Sequence, residues 1–133
     1  MDTQLKIQLF PGWQLAENKG GPATYLRGAS CLQFSRAQNS RGPMPIDAEG
    51  LIGMCEKLTR SMKGRRNVLT GSGQCSFGTF GTLVAQGDFP AHMQAWVLTD
   101  GTNFILVTHV CEKQPSAEEI EEAKHIALMT TIA

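Results

Sequence analysis

The sequence lacks an excess of charge of either sign. Its 133 residues carry 12 Lys and Arg against 12 Asp and Glu. Proteins that coat nucleic acids or bind anionic membranes need a basic excess, so this balance argues against both functions. The balance hides an asymmetry, because residues 1–66 hold ten basic and five acidic residues, whereas residues 67–133 hold two basic and seven acidic residues. The two halves therefore carry net charges of +5 and −5.

Long hydrophobic runs are also missing. The longest, Phe104–Val107, is typical of a strand and far from the ~18 apolar residues that a membrane-spanning helix needs. The opening residues, Met1–Ile7, show neither the basic nor the apolar region of a secretory signal, which predicts a cytoplasmic location. Leu, Ile, Val and Phe supply 30 of the 133 residues. This content predicts one folded domain over residues 1–133.

The spacings typical of metal and redox sites are absent. The cysteines are Cys31, Cys55, Cys75 and Cys111, and the histidines are His92, His109 and His125. The cysteines lie too far apart for a CxxC motif, and the histidines share no ligand spacing. We therefore expect neither a metal site nor a cofactor, and we expect reduced, buried thiols, as is usual for scattered cysteines in a cytoplasmic protein.

The glycine-rich stretch Gly71–Gly81 lacks what a phosphate-binding loop requires. No lysine lies between Lys63 and Lys113, and Ser76 stands where the dinucleotide-binding pattern needs its third glycine. The stretch also precedes strands rather than a helix. We interpret these glycines as turns or bulges of an antiparallel sheet.

Apolar periodicity predicts strands in both halves of the chain and two helices. The predicted strands are Leu5–Leu9, Ala23–Arg27, Cys31–Ser35, two within Val68–Gly87, Met93–Leu98 and Phe104–Cys111. Asp100-Gly101 favours a hairpin between the last two strands. Phe104–Cys111 is mostly apolar on both faces, which is typical of a central strand covered on both sides. A polar loop is expected over Ala37–Pro45.

Each predicted helix has a recognisable start. Asp47 is a suitable N-cap, and Gly64 is a suitable stop beyond the apolar stripe. That stripe consists of Leu51, Met54, Cys55, Leu58 and Met62. Before the second helix, Ser116 and Glu119 fit a capping box, in which the hydroxyl accepts from the Glu119 amide and the carboxylate reaches back to the Ser116 amide. The order of elements predicts an α+β fold with an antiparallel sheet of about six strands sandwiched by helices (α/β/α).

Two tryptophans and one basic cluster are the candidate binding residues. Trp96 alternates within a strong strand and Trp13 follows a Pro-Gly turn, so each is also interpreted as part of the core. The basic residues are Arg60, Lys63, Arg65 and Arg66. They are suited to an acidic partner or a phosphorylated ligand, although a solvated helix end, favoured by the helix dipole, is the simpler explanation.

A catalytic reading finds little support in the sequence. His109 and Cys111 are two residues apart on one strand face, which predicts a separation of about 7 Å, too far for a direct hydrogen bond. His92 is expected in a loop. We therefore predict a protein that is not an enzyme. The alternative is a small-molecule-binding domain or a thiol-dependent enzyme that uses Cys111 or Cys75 near His109.

Three stretches carry a resemblance to a known family: Phe10–Trp13, the hairpin of Gln94–Leu98 with Asn103–Thr108, and Pro115–Ile126. They resemble the PsbP-like superfamily, which includes the extrinsic subunit P of photosystem II, the Mog nuclear-transport factors and chaperones of type VI secretion effectors. The resemblance implies an antiparallel sheet between helices and no shared catalytic residues. It also implies binding of another protein, as an adaptor, chaperone or immunity-type protein. A homodimer is a further option.

Overall fold

A seven-stranded antiparallel sheet dominates the computed structural model, which describes residues 5–16, 23–38 and 46–132. The strands are β1 (Leu5–Lys6), β2 (Gln14–Leu15), β3 (Ala23–Arg27), β4 (Ser30–Gln38), β5 (Arg66–Gln74), β6 (Thr79–Gln86), β7 (His92–Thr99), β8 (Asn103–Cys111) and β9 (Thr131–Ile132). The helices are α1 (Ala48–Thr59) and α2 (Ala117–Met129). The strand order is β2-β3-β4-β8-β7-β6-β5, and β1 pairs separately with β9.

The predicted antiparallel sheet between helices is confirmed, with seven strands rather than about six. The strand expected over Leu5–Leu9 is ordered as β1 only at Leu5–Lys6. β4 continues to Gln38, into the segment expected to be a loop, because it pairs with β8 along its whole length. Residues 39–45 of that loop lie outside the described ranges. The predicted turn near Gly78–Gly81 lies slightly earlier, where Cys75 and Gly78 exchange backbone hydrogen bonds.

Helix α1 ends at Thr59, five residues before the predicted stop at Gly64. Its end is closed by Arg65, whose Nη1 donates to the Glu56 carbonyl at 3.1 Å and to the Thr59 hydroxyl at 2.8 Å. Gly64 has a φ of +65°, and the chain turns there into β5. The glycine therefore serves the turn after the helix rather than the helix terminus itself.

The two helices cover opposite faces of the sheet. Ala123, Ile126 and Ala127 of α2 share a core with Trp96 and with Leu32, Phe34, Ile105 and Val107. On the other face, Leu51 and Cys55 of α1 pack with Leu83, Ala85, Ala95, Val97 and Phe104. β8 contributes to both cores and lies between β4 and β7, which confirms it as the central strand. The basic end of α1 and the acidic start of α2 therefore lie on opposite sides of the sheet.

The position of α1 over the sheet depends on a glycine. A Cβ atom on Gly81 of β6 would lie 2.7 Å from the Leu51 Cβ and 3.0 Å from the Ile52 backbone nitrogen. Only glycine allows the helix backbone to approach the strand this closely. Within the described residues, neither helix has the length and apolar character needed to cross a membrane.

Candidate functional site

Strands β7 and β8 place four polar side chains on the face that α2 covers. His92 is directly opposite Cys111 in the antiparallel register, and Gln94 is directly opposite His109. Because side chains alternate between faces along a strand, these two cross-strand pairs lie next to each other on one face. His109 and Cys111 are completely buried, and His92 is 3% exposed. The four residues therefore form a polar cluster inside an otherwise apolar core.

Helix α2 adds a carboxylate to this polar cluster. Ser116 caps the helix as predicted, since its side chain accepts from the Glu119 amide at 3.1 Å. The Glu119 side chain does not follow the predicted capping box, because its Oε2 lies 2.8 Å from the Nε2 atom of His109 and 3.7 Å from the Cys111 Sγ. The contact with a buried histidine takes precedence over the contact with the cap amide.

The separation predicted for His109 and Cys111 is wrong. The Cys111 Sγ lies 3.3 Å from the His109 Nε2, within hydrogen-bonding distance for sulfur. The expected 7 Å is the backbone repeat of alternate residues, whereas an imidazole ring is long enough to lean back over its neighbour. The placement of His92 in a loop is also wrong, since it begins β7 and lies under the cover of α2. His125 is exposed and stacks edge-on with Phe10 at 5.3 Å between ring centroids.

Trp13 closes the outer side of the cluster. Its indole ring lies 5.8 Å from the His109 ring in an edge-on arrangement, and its N–H donates to Glu122 Oε1 at 3.1 Å. Arg27 forms an ion pair with the same Glu122 oxygen, and its guanidinium lies 5.6 Å from the centre of the Trp13 ring. This arrangement connects the first part of the chain to α2 and covers the His109 ring.

Burial shifts the pKa of the two histidines and of the thiol in the cluster toward their uncharged forms. Burial lowers the pKa of His92 to about 4, and the nearby His109 adds to this effect against the opposing attraction of Glu119. Burial also lowers the pKa of His109, although its hydrogen bond to Glu119 acts in the opposite direction. Burial raises the pKa of the Cys111 thiol to about 12, against a hydrogen bond from Ser30 that lowers it. At neutral pH the cluster therefore holds neutral imidazoles and a protonated thiol.

The geometry does not match a catalytic triad. In such a triad the thiol and the carboxylate approach opposite nitrogens of the histidine ring. Here Cys111 and Glu119 both approach Nε2 of His109, and Nδ1 has no hydrogen-bond partner. The thiol is also fully buried, so neither nucleophilic attack nor proton relay is favoured.

The same three side chains have the chemistry of metal ligands. The His109 nitrogen, the Cys111 sulfur and a Glu119 oxygen all lie within 4.8 Å of one another. Imidazole, thiolate and carboxylate are the usual protein ligands of zinc. Sequence spacing did not reveal this group because its members come from a strand and a separate helix. One feature of the sequence could have indicated this group. A hairpin that turns at Asp100-Gly101 sets a register in which His92 lies opposite Cys111.

Cys75 lies far from this cluster. It belongs to the turn between β5 and β6, at the end of the sheet where Thr79 pairs with Thr99. Cys111 lies at the other end of β7, opposite His92. The alternative that groups Cys75 with Cys111 and His109 in one pocket is therefore not supported by their positions.

The candidate binding residues separate into a core pair and a surface group. Trp13 is 6% exposed and Trp96 is 1% exposed, so both lie in the core rather than on an open surface. Arg65 is occupied at the end of α1, as described above. Arg60, Lys63 and Arg66 are exposed between the end of α1 and the start of β5. These basic residues therefore lie on the segment that leads from α1 into β5, at an edge of the sheet.

The strand order and the helix on each face define a PsbP-like α+β fold. The solution structure of cyanobacterial PsbP (CyanoP) from Synechocystis sp. PCC 6803 matches 100% of this chain and 95% of that chain, with a TM-score of 0.65. The sequence identity is 10%, so the likeness is one of fold. No family model and no curated protein matches the sequence. The PsbP-like resemblance predicted from the sequence is confirmed at this level.

Proposed function

We propose that this chain is a non-catalytic protein-binding module that takes up an extended, acidic segment of a partner protein as an added strand along β5. The observation that carries the proposal is the edge position of β5. This nine-residue strand pairs with β6 on one side, and no strand within residues 5–16, 23–38 and 46–132 pairs with it on the other. Its backbone groups along the outer side are therefore available to another strand.

Strand β5 exposes two adjacent apolar side chains at the edge of the sheet. Val68 is 55% exposed and Leu69 is 58% exposed. Proteins usually protect a sheet edge with charges, proline or a bulge, because a long apolar edge recruits other strands. β5 does have an irregularity between Asn67 and Leu69, but from Leu69 to Gln74 its register with β6 is continuous. Six residues are thus available for regular pairing.

Grooves on both faces of β5 suit the alternating side chains of an added strand. On the α2 side, a groove of about 310 Å³ runs past Leu69, Phe80 and Ile120, with Trp96 in its floor. On the α1 side, a groove of about 280 Å³ is lined by Ile46, Gly73 and Phe80, among others. Successive residues of an extended peptide point to opposite faces, so both grooves would receive apolar side chains.

The charge beside the edge selects an acidic partner. Arg66 begins β5, and the exposed Arg60 and Lys63 lie close to it in sequence. Among the described residues, none of these three forms a salt bridge. Such unpaired cations increase the association rate with an oppositely charged segment. The segment that fits is therefore apolar along its length and carries Asp or Glu where it passes Arg66.

The buried chemistry supports binding over catalysis. The Cys111 thiol is inaccessible, and its histidine neighbour lacks the arrangement of a nucleophile–base pair. All four cysteines are free thiols. Free thiols are usual in reducing compartments, which supports a cytoplasmic location. A binding edge together with an inaccessible thiol suits an adaptor, a chaperone or an immunity-type protein.

The experiment is a selection of peptides from a displayed random library on the immobilised protein. We expect extended peptides with alternating apolar residues and acidic residues toward one end. Amide hydrogen exchange of the complex with such a peptide should show new protection over residues 69–74. Protection confined to other residues would contradict the proposal.

Substitutions then test the edge directly. Leu69→Asp and Arg66→Glu should each weaken binding of the selected peptide about tenfold or more, the effect of losing one good interface contact. Leu15→Asp on β2 at the opposite edge and Lys57→Glu on α1 are matched controls, since both residues are exposed, and they should leave binding unchanged. Equal losses from the controls would overturn the proposal. So would a dimer of the chain that Leu69→Asp dissociates, because a second copy would then occupy the edge.

A further inference from the structure

We propose that His109, Cys111 and Glu119 bind a zinc ion beneath the first turn of α2, and that the adjacent His92 ring turns in to complete the site. Nothing in the proposed partner binding requires this site, which lies in the core and away from β5. The inference rests on the distances between potential ligand atoms and on a buried histidine without hydrogen bonds.

The three ligand atoms are already spaced as they would be around one ion. Zinc bonds of ~2.0 Å to nitrogen or oxygen and ~2.3 Å to sulfur, at tetrahedral angles, place ligand atoms about 3.3–3.5 Å apart. The observed distances are 3.3 Å for nitrogen to sulfur, 3.7 Å for sulfur to oxygen and 2.8 Å for nitrogen to oxygen. Adjustments of about half an ångström, within the reach of side-chain rotation, would accommodate the ion.

His92 is the independent observation that points to a ligand. Its side chain is 3% exposed, and neither ring nitrogen has a hydrogen-bond partner. Buried polar atoms almost always have partners, so a buried imidazole with two unpartnered nitrogens requires an explanation. The ring lies directly across from Cys111 in the strand register and 5.8 Å from the His109 ring. Its nitrogens lie outside the group of ligand atoms that are within 4.8 Å of one another, so the ring has to turn toward a bound ion to gain a partner.

The ligand types and charges favour zinc over harder cations. One thiolate and one carboxylate balance the charge of a divalent ion, and two neutral imidazoles complete a tetrahedral set. Binding replaces the S–H bond of Cys111 with a Zn–S bond, and the thiol proton leaves to solvent. Calcium and magnesium prefer oxygen ligands only, so the sulfur and nitrogen atoms exclude them.

The surrounding residues hold the proposed ligands in place. Trp13 packs against the His109 ring from outside, and Ser116 fixes the first turn of α2 from which Glu119 reaches inward. The side chains of His109 and Cys111 are fully buried, whereas the Glu119 side chain is 12% exposed. An ion therefore reaches the site past Glu119, at the start of α2, or is captured while the chain folds.

The test begins with metal binding by the full chain. Purified protein, stripped of metal and refolded with cobalt(II) as a spectroscopic probe, should bind one equivalent, with intense visible bands of tetrahedral cobalt and a thiolate-to-cobalt charge-transfer band. Zinc should displace the cobalt. X-ray absorption of the zinc-loaded protein should show one sulfur neighbour and three nitrogen or oxygen neighbours. This measurement needs no variant, so it decides the proposal even if substitutions impair folding.

Variants assign the ligands. Cys111→Ser should abolish the charge-transfer band, and Glu119→Gln should weaken zinc binding about a hundredfold, an expected loss for disturbing a ligand or its support. Cys55→Ser, which changes a buried thiol on the other face, and His125→Gln, which changes an exposed histidine, should retain wild-type binding. Failure of the refolded wild-type protein to bind a stoichiometric ion would overturn the proposal. Persistence of the thiolate band in Cys111→Ser would do the same, and neither result bears on the edge of β5.

Discussion

The Nε2 atom of His109 lies 2.8 Å from the Oε2 atom of Glu119. This contact joins the central strand β8 to the first turn of α2, and the histidine side chain at its inner end is fully buried. The pair therefore connects a local feature, the start of a helix, to the polar cluster in the core. Removing this contact should lower the free energy of unfolding more than removing an exposed carboxylate of the same helical turn.

Truncating Glu119 should destabilise the fold. Glu119→Ala leaves the buried His109 Nε2 atom with only the Cys111 sulfur, a weak partner, within hydrogen-bonding distance. A poorly satisfied buried polar group costs about 1–3 kcal/mol. Urea unfolding, followed by circular dichroism in the presence of a chelator, measures the free energy of unfolding without a contribution from metal. Glu118→Ala removes an exposed carboxylate from the same helical turn and should cost less than about 1 kcal/mol. Equal losses in the two variants would show that the His109 contact contributes nothing.

The buried His92 should make stability depend on pH. Its pKa is lowered from 6.5 to about 4, mainly by burial, so between these values the unfolded chain binds a proton that the folded protein does not. Stability rises with pH wherever the unfolded state binds more protons. The free energy of unfolding should therefore fall as the pH is lowered from 6.5 toward 4, by up to about 3 kcal/mol at ~1.4 kcal/mol per pH unit.

Urea titrations of the metal-free protein across this range check the prediction. His92→Gln should show a shallower dependence on pH, because one of the buried histidines no longer titrates. The exposed His125 provides the matched control, and His125→Gln should keep the wild-type slope. A wild-type stability that is flat or rises on acidification would refute the assignment of a neutral, buried His92.

Two of the four thiols should resist alkylation in the native state. Burial raises the pKa of both Cys55 and Cys111 to about 12. The thiolate is the reactive form, so at pH 8 both should react with iodoacetamide about a hundredfold or more slowly than the half-buried Cys75. Mass spectrometry of the labelled peptides over time gives the individual rates, and denatured protein supplies the unprotected reference. A rapidly modified Cys111 would instead support the thiol-dependent alternative.

Adding one methyl group to Gly81 should separate α1 from the sheet. The new Cβ of Gly81→Ala would lie 2.7 Å from the Leu51 Cβ, and such overpacking costs about 1–3 kcal/mol. Gly53 of α1 is the matched control, since a Cβ there meets no atom within 4 Å. Gly53→Ala should instead stabilise the protein by about 0.5–1 kcal/mol through helix propensity. Thermal unfolding of both variants should therefore show shifts of opposite sign.

Local sequence patterns predicted most of the elements because the interactions that define them lie within a few residues. Asp47 and Ser116 cap the two helices as expected, since a cap side chain bonds an amide only three residues away. The alternation from Phe104 to Cys111 likewise identified the central strand, because burial on both faces requires apolar residues at successive positions. The predictions were wrong where side-chain contacts replace the expected local ones. Glu119 contacts His109 rather than the Ser116 amide. Arg65 bonds the end of α1 at Thr59, ahead of the predicted stop at Gly64.

The sequence by itself determined the kinds of elements, their order and the antiparallel sheet between two helices, because periodicity and capping act over single turns and single strands. Only the tertiary structure decided that β5 lies at the edge beside the basic residues. Only it decided that His92, His109, Cys111 and Glu119 meet. Both outcomes depend on strand order, on cross-strand register and on the packing of α2 over β7 and β8. These are set by the burial of side chains from the whole chain, and no local pattern encodes them.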